Sequence, residues 1–135
     1  MKIFVGGSKR IAVLPNAAFR QLDAYREQGC AFLVGDCHGV DAGVQKYLAD
    51  CGERRVTVYC SGRAPRHNVG AWPVVALCDT THTGYAFYRQ KDIRMAEDAD
   101  GGYMVWDGVS KGTKQNAEDL RARSKPVRIE TISAR

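Results

Sequence analysis

The sequence predicts an α/β fold in which a five-stranded, mainly parallel sheet lies between two layers of helices. Three observations carry this. Short apolar runs alternate with stretches of helical periodicity along the whole chain. Three of those runs end in glycine-rich stretches. The 135 residues suffice for one domain with one core.

Strand one spans Lys2 to Val5 and feeds Gly6-Gly7-Ser8-Lys9. Helix one is expected from Pro15, which pre-sets the first turn, to Gln28, with Ala18, Leu22 and Tyr25 on one face. Gly29 suits its C-terminal end. Strand two, Cys30 to Val34, is continuously apolar, as a central parallel strand should be. It runs into Gly35-Asp36-Cys37-His38-Gly39-Val40-Asp41. Helix two covers Val40 to Asp50, where Val40, Val44, Tyr47, Leu48 and Cys51 repeat at helical spacing. Strand three covers Arg55 to Cys60.

An irregular stretch follows, Ser61 to Gly84, longer than an ordinary connection and for that reason a candidate functional loop. Helix three is expected over Tyr85 to Asp98 and strand four over Tyr103 to Trp106. Asp107-Gly108-Val109-Ser110-Lys111-Gly112-Thr113 then opens helix four, Thr113 to Ser124, which Lys125-Pro126 stops. Strand five is Val127 to Ile132. Right-handed crossovers favour a doubly wound order, 3-2-1-4-5. That order makes strands one and four neighbours and brings the three glycine loops to one edge.

Composition is that of an ordinary globular chain, 44% hydrophobic and 26% charged. No run reaches the roughly 18 apolar residues of a membrane helix. The first apolar run is too short for a signal-peptide core, so a cytoplasmic location is expected. The odd cysteine count, five, with no C-x-x-C pair, reads as reduced thiols; only Cys37 lies in a glycine loop. His38, His67 and His82 show no ligand spacing with cysteine, so no metal is expected, and no cofactor. A net charge of +5 permits an anionic ligand or nucleic acid without requiring either. The densest basic cluster, Arg121 to Lys125, reads as a solvated helix end that also suits the helix dipole.

The three loops are candidate phosphate cradles. Glycine lets backbone N–H groups approach a ligand, and a following helix adds free N–H groups and its positive dipole end. Candidate ligand-binding residues are Gly6, Gly7, Ser8 and Lys9 in the first loop and Gly35, Asp36, Gly39 and Asp41 in the second. The third loop supplies Gly108, Ser110, Lys111, Gly112 and Thr113. Arg10 adds a further cation. In the long loop Arg63 or Arg66 is a candidate phosphate clamp, Asn68 a further binding candidate, and Trp72 either a base-stacking ring or a packed anchor. Taken singly, each loop is equally an ordinary strand–helix turn, and Asp41 equally a carboxylate capping helix two. Neither G-x-G-x-x-G nor G-x-x-x-x-G-K-[ST] is complete, which argues against an ATP- or GTP-hydrolysing P-loop.

The combined pattern resembles the SLOG superfamily, which includes the DNA-processing protein Smf/DprA and the cytokinin-activating LOG enzymes. Its carriers are Gly6-Gly7-Ser8, Val34 to Asp41 with Val44 to Ala49, Cys60-Ser61-Gly62, Arg66 to Trp72, and Trp106 to Thr113. The chain looks most like a small bacterial branch consisting of the Rossmann-like domain alone. The resemblance implies a Rossmann-like domain over residues 1–135 that binds a nucleotide or nucleotide-derived molecule.

LOG enzymes use an arginine in R-K-x-x-M and a glutamate in P-G-G-x-G-T-x-x-E. Lys91 stands where that arginine would be and Asn116 where that glutamate would be. An amide cannot act as a general base or balance an oxocarbenium charge as a carboxylate does. The leading expectation is therefore ligand binding, as in a sensor, rather than catalysis. The alternative is cleavage of a nucleotide N-glycosidic bond, with Asp36, Asp41, Asp107 and Lys91 as catalytic candidates. Single-stranded nucleic-acid binding ranks third, because the chain has no aromatic-rich basic stripe. A homo-oligomer joined through helix faces is also expected from the resemblance.

Overall fold

The structure, a computed structural model, describes residues 1–132. Its elements in chain order are β1 (Lys2–Gly7), α1 (Asn16–Glu27), β2 (Ala31–Val34), α2 (Val40–Asp50) and β3 (Val56–Ser61). There follow β4 (Val74–Leu77), α3 (Gly84–Asp98), β5 (Gly101–Trp106), α4 (Lys111–Ala122) and β6 (Val127–Thr131). The sheet has six strands in the order β4-β3-β2-β1-β5-β6, and every pairing is parallel. The fold is a three-layer, Rossmann-like α/β/α sandwich.

The expected order of five strands is present, with β4 added outside β3. This sixth strand corrects the reading of residues 61–84 as wholly irregular. Val74 to Leu77 pairs with Val58 to Ser61, and Pro73 supplies a carbonyl to the Val58 N–H at 2.9 Å. Four residues after a proline make a weak local signal; pairing with β3 is what orders them.

Side chains of the central strands alternate between two cores. Ile3 and Val5 of β1 join Phe32, Val34, Val58, Tyr103 and Val105 under α1 and α2, where Ala18, Leu22, Val44 and Leu48 complete the packing. Phe4, Leu33, Tyr59 and Met104 face the other way, against Met95, Ala96 and Ala99 of α3 and Leu120 of α4. Each fully buried Leu, Val or Phe contributes about 1.5–3 kcal/mol relative to exposure, so the two cores fix which face each helix covers. Lys125 ties the helices of the second layer together. Its Nζ donates to the Ala96 and Glu97 carbonyls near the end of α3, a cation at a helix C-terminus.

The chain runs from β1 outward to β2, β3 and β4, then returns to β5 on the other side of β1. Val5 lies opposite Tyr103 and Gly7 opposite Val105. The loops after β1 and β5 thus leave the sheet side by side at the point where the strand order reverses, the usual ligand crevice of such sheets.

Candidate functional site

Ser8 joins the three glycine loops. Its N–H donates to the Val105 carbonyl at 3.0 Å, its own carbonyl accepts the Val40 N–H at 3.3 Å, and its Oγ accepts the Asp107 N–H at 3.1 Å. One buried serine therefore ties the end of β1 to the end of β5 and to the first residue of α2. Gly39 makes that approach possible. Its φ of +78° is a left-handed value, and a Cβ there would meet the Lys9 backbone at 2.5 Å.

Asp107 organises the third loop. Its Oδ1 accepts the N–H groups of Val109 at 2.9 Å and Ser110 at 2.8 Å, and its Oδ2 accepts the Ser110 hydroxyl at 2.8 Å. Burial pushes this carboxyl up, but the bonds it accepts outweigh burial and bring it down to about 2. One consequence reaches α4. Ser110 occupies the position before the helix where serine ordinarily bonds a free N–H, yet its hydroxyl is held by Asp107 and makes no such cap. The first-turn N–H groups of α4, on Lys111, Gly112 and Thr113, stay available to a ligand.

A cleft of about 430 Å³ opens between the end of β1, the first half of α3 and the first turn of α4. Of the residues expected from the sequence, Gly6, Gly7, Ser8 and Lys9 line it, as do Ser110, Lys111, Gly112 and Thr113. Asp41, Arg66 and Lys91 line it as well. Gly35, Asp36, Gly39, Asn68, Asp107 and Gly108 do not. Asp36 and Asp107 are catalytic candidates whose oxygens are spent on protein partners. Asp36 accepts the Arg66 backbone N–H at 2.9 Å and the guanidinium at 3.0 and 3.3 Å. Burial raises its pKa, but Arg66 outweighs burial and holds the carboxyl below its ordinary range. Arg66 also donates to the Cys37 Sγ at 3.1 Å, while burial pushes the Cys37 thiol up.

Asn68 closes a turn: it donates to the Trp72 carbonyl and accepts the Trp72 N–H. Trp72 is the packed anchor of the two readings. It is buried in the core under α2, and its indole donates to the Glu53 carbonyl at 2.8 Å.

Asp41 and Lys91 form the charged base of the cleft. Asp41 is buried in the first turn of α2, and its Oδ2 accepts the Cys37 N–H at 3.2 Å. Gly35 makes room for this carboxylate, because a Cβ there would lie 2.5 Å from Asp41 Oδ2 and 3.5 Å from Lys91 Nζ. Burial raises the Asp41 carboxyl to about 6 against the pull of Lys91. Lys91 is itself buried and donates to Asp92 at 3.0 Å. Burial opposes its charge, but Asp92 and Asp41 outweigh burial and hold it protonated.

Several lining residues escaped the sequence reading. Tyr85, Tyr88, Arg89, Asp92 and Met95 of α3, with Phe4 and Cys37, complete the wall. Tyr85, Tyr88, Arg89 and Asp92 stand at i, i+3, i+4 and i+7, one stripe of a helix. That spacing was the available signal. Asn116 also lines the cleft and accepts from Arg89 Nη1 at 2.9 Å, while Arg89 Nη2 pairs with Asp119. Lys9, Arg10 and Lys111 line the cleft without an ion-pair partner among the described residues.

Among the described residues, no group of three or more His, Cys, Asp or Glu is arranged to hold a metal ion, and no helix is long and apolar enough to cross a membrane. No protein-family model matches the chain, and no curated protein matches it.

Proposed function

We propose that the chain binds a nucleotide or nucleotide-derived ligand, with its phosphate on the first turn of α4 and the loop after β1. The observation that carries this is the uncapped start of α4 opening into a cleft with three unpaired cations. Free N–H groups, the helix dipole and Lys9, Arg10 and Lys111 all favour an anion there. The cleft volume falls within the range of small-molecule sites. The similarity of the three loops to the SLOG superfamily supports a nucleotide over another phosphorylated compound. Calorimetry against nucleoside monophosphates, ADP-ribose and cyclic nucleotides tests the reading. A saturable dissociation constant for at least one supports it, and no heat from any of them with folded protein overturns it.

A second reading has one observation in its favour. Of the three aspartates put forward from the sequence as catalytic, Asp41 alone lines the cleft. It is the carboxylate available for cleaving an N-glycosidic bond, in which water adds to the sugar carbon and the base leaves with a proton. Release of free base from a nucleotide panel, abolished in Asp41→Asn, would establish this activity. No release at high enzyme concentration leaves binding as the function.

A further inference from the structure

The cleft has two chemically different walls. One carries the α4 N-terminus and the unpaired cations. The other is the exposed stripe of α3. Tyr85 is 65% exposed and Tyr88 56% exposed, although both line the cleft. Below them lie Phe4 and Met95, both buried and both lining the same cavity.

This wall is braced. Phe87 packs edge-on against Tyr88, with ring centroids 5.4 Å apart at 89°. The Ser61 hydroxyl donates to the Tyr88 carbonyl at 3.1 Å, tying α3 to the end of β3. Arg89, one residue on, is held by Asn116 and Asp119 of α4. Two exposed tyrosines thus line an open cleft on a helix fixed to both the sheet and α4. Each tyrosine offers a flat apolar face at low entropic cost, because its side chain has only two torsions to fix.

We propose that Tyr85 and Tyr88 form the stacking wall for the heteroaromatic base of the ligand, opposite its phosphate. The inference rests on the nucleotide reading and assigns the other end of the molecule. Stacking on tyrosine is tolerant of base identity, since every base has a π-face. The wall therefore distinguishes base-bearing from base-free phosphates more strongly than one base from another.

The test compares AMP, GMP, CMP and UMP with ribose 5-phosphate by calorimetry, for the unaltered protein and for Tyr85→Ala, Tyr88→Ala and the matching Phe variants. Melting curves confirm the fold of each. The expected result is that the four nucleotides bind roughly 10- to 100-fold more tightly than ribose 5-phosphate. Each Ala variant loses most of that advantage, ribose 5-phosphate affinity stays unchanged, and the Phe variants keep nucleotide affinity. Nucleotide and ribose 5-phosphate binding equally, with the Ala variants unchanged, overturns the stacking wall and leaves the phosphate site standing. No binding of either ligand class overturns both. A dimer that the Ala variants dissociate in sedimentation, with nucleotide affinity unaltered, also overturns it and assigns the rings to a contact between copies.

Discussion

Removing the Asp107 carboxylate should both destabilise the protein and weaken anion binding at the proposed phosphate site. In Asp107→Ala three hydrogen bonds are lost, from the Val109 N–H, the Ser110 N–H and the Ser110 hydroxyl. Bonds to a charged group contribute about 1.5–3 kcal/mol each, but three bonds sharing one acceptor group are not additive. A total loss of about 3 kcal/mol is expected at pH 7. For a domain of this size that lowers Tm by roughly 10 °C. The pH dependence has a definite sign. The folded carboxyl is held at about 2, below its ordinary 3.8. Its stabilisation is complete above the ordinary value and fades as pH falls through the folded one. Melting curves of the two proteins should therefore be well separated at pH 7 and converge towards pH 2.

The binding effect follows from Ser110. Freed from Asp107, its hydroxyl can turn to the N–H of Gly112 or Thr113 and cap α4. Such a cap is worth about 1 kcal/mol, so an anion competing for the same N–H groups should lose roughly 5- to 10-fold in affinity. Adding Ser110→Ala removes the competitor and should restore most of that loss. Differential scanning calorimetry and nucleotide titration measure the two effects separately. An unchanged Tm at pH 7, or a deficit that stays constant down to pH 2, would refute the account of the loop. Unaltered affinity in the single variant would refute the role given to the uncapped helix.

Other substitutions probe different parts of the molecule. Asp41 is costly to ionise where it lies: a carboxyl raised from 3.8 to about 6 corresponds to about 3 kcal/mol. The cost is absent below the ordinary value, grows as pH rises from 3.8 towards about 6, and is complete above the folded value. Asp41→Asn keeps an acceptor for the Cys37 N–H, so it should raise stability at pH 8 by about 2 kcal/mol and leave pH 4 nearly unaffected, as read from urea melts. Asp36→Ala releases Arg66 from the start of the loop after β3. Trypsin should then cut after Arg63 or Arg66 several-fold faster, and an unchanged cleavage pattern would show that the pair does not hold the loop. Trp72→Phe keeps most of the packing but leaves the Glu53 carbonyl without its indole donor. A loss of about 1–2 kcal/mol in denaturant melts is expected, with no effect on binding at the proposed site, because Trp72 lies outside the cleft.

The sheet order was legible because the central strands are continuously apolar and the helices carry clear stripes. Phe32 to Val34 and Tyr103 to Val105 are short apolar runs with glycine beside them, which favours buried strands over helix. Edge strand β4 was not legible: Val74 to Leu77 is short, partly exposed and preceded by proline, and its order comes from pairing with β3 across an irregular loop. The same division runs through the site. Gly6 to Lys9 and Ser110 to Thr113 could be placed at the cleft from the sequence because both follow strands that the order of elements makes neighbours. The roles of Asp36 and Asp107 could not, since a carboxylate aimed at a ligand and one folded back onto its own loop have the same sequence.

By itself, the sequence determined the class of fold, the order of its central strands and the meeting of three glycine loops at one edge. Those follow from periodicity, from right-handed crossovers and from the conformations only glycine allows. Tertiary structure decided what faces those loops. Tyr85, Tyr88 and Arg89 reach the cleft because α3 packs across β1 and β3 and against α4. Asp41 is buried beside Lys91 because Gly35 leaves it room. Local propensity carries no record of which helix faces which loop. That depends on how the two cores pack across the sheet.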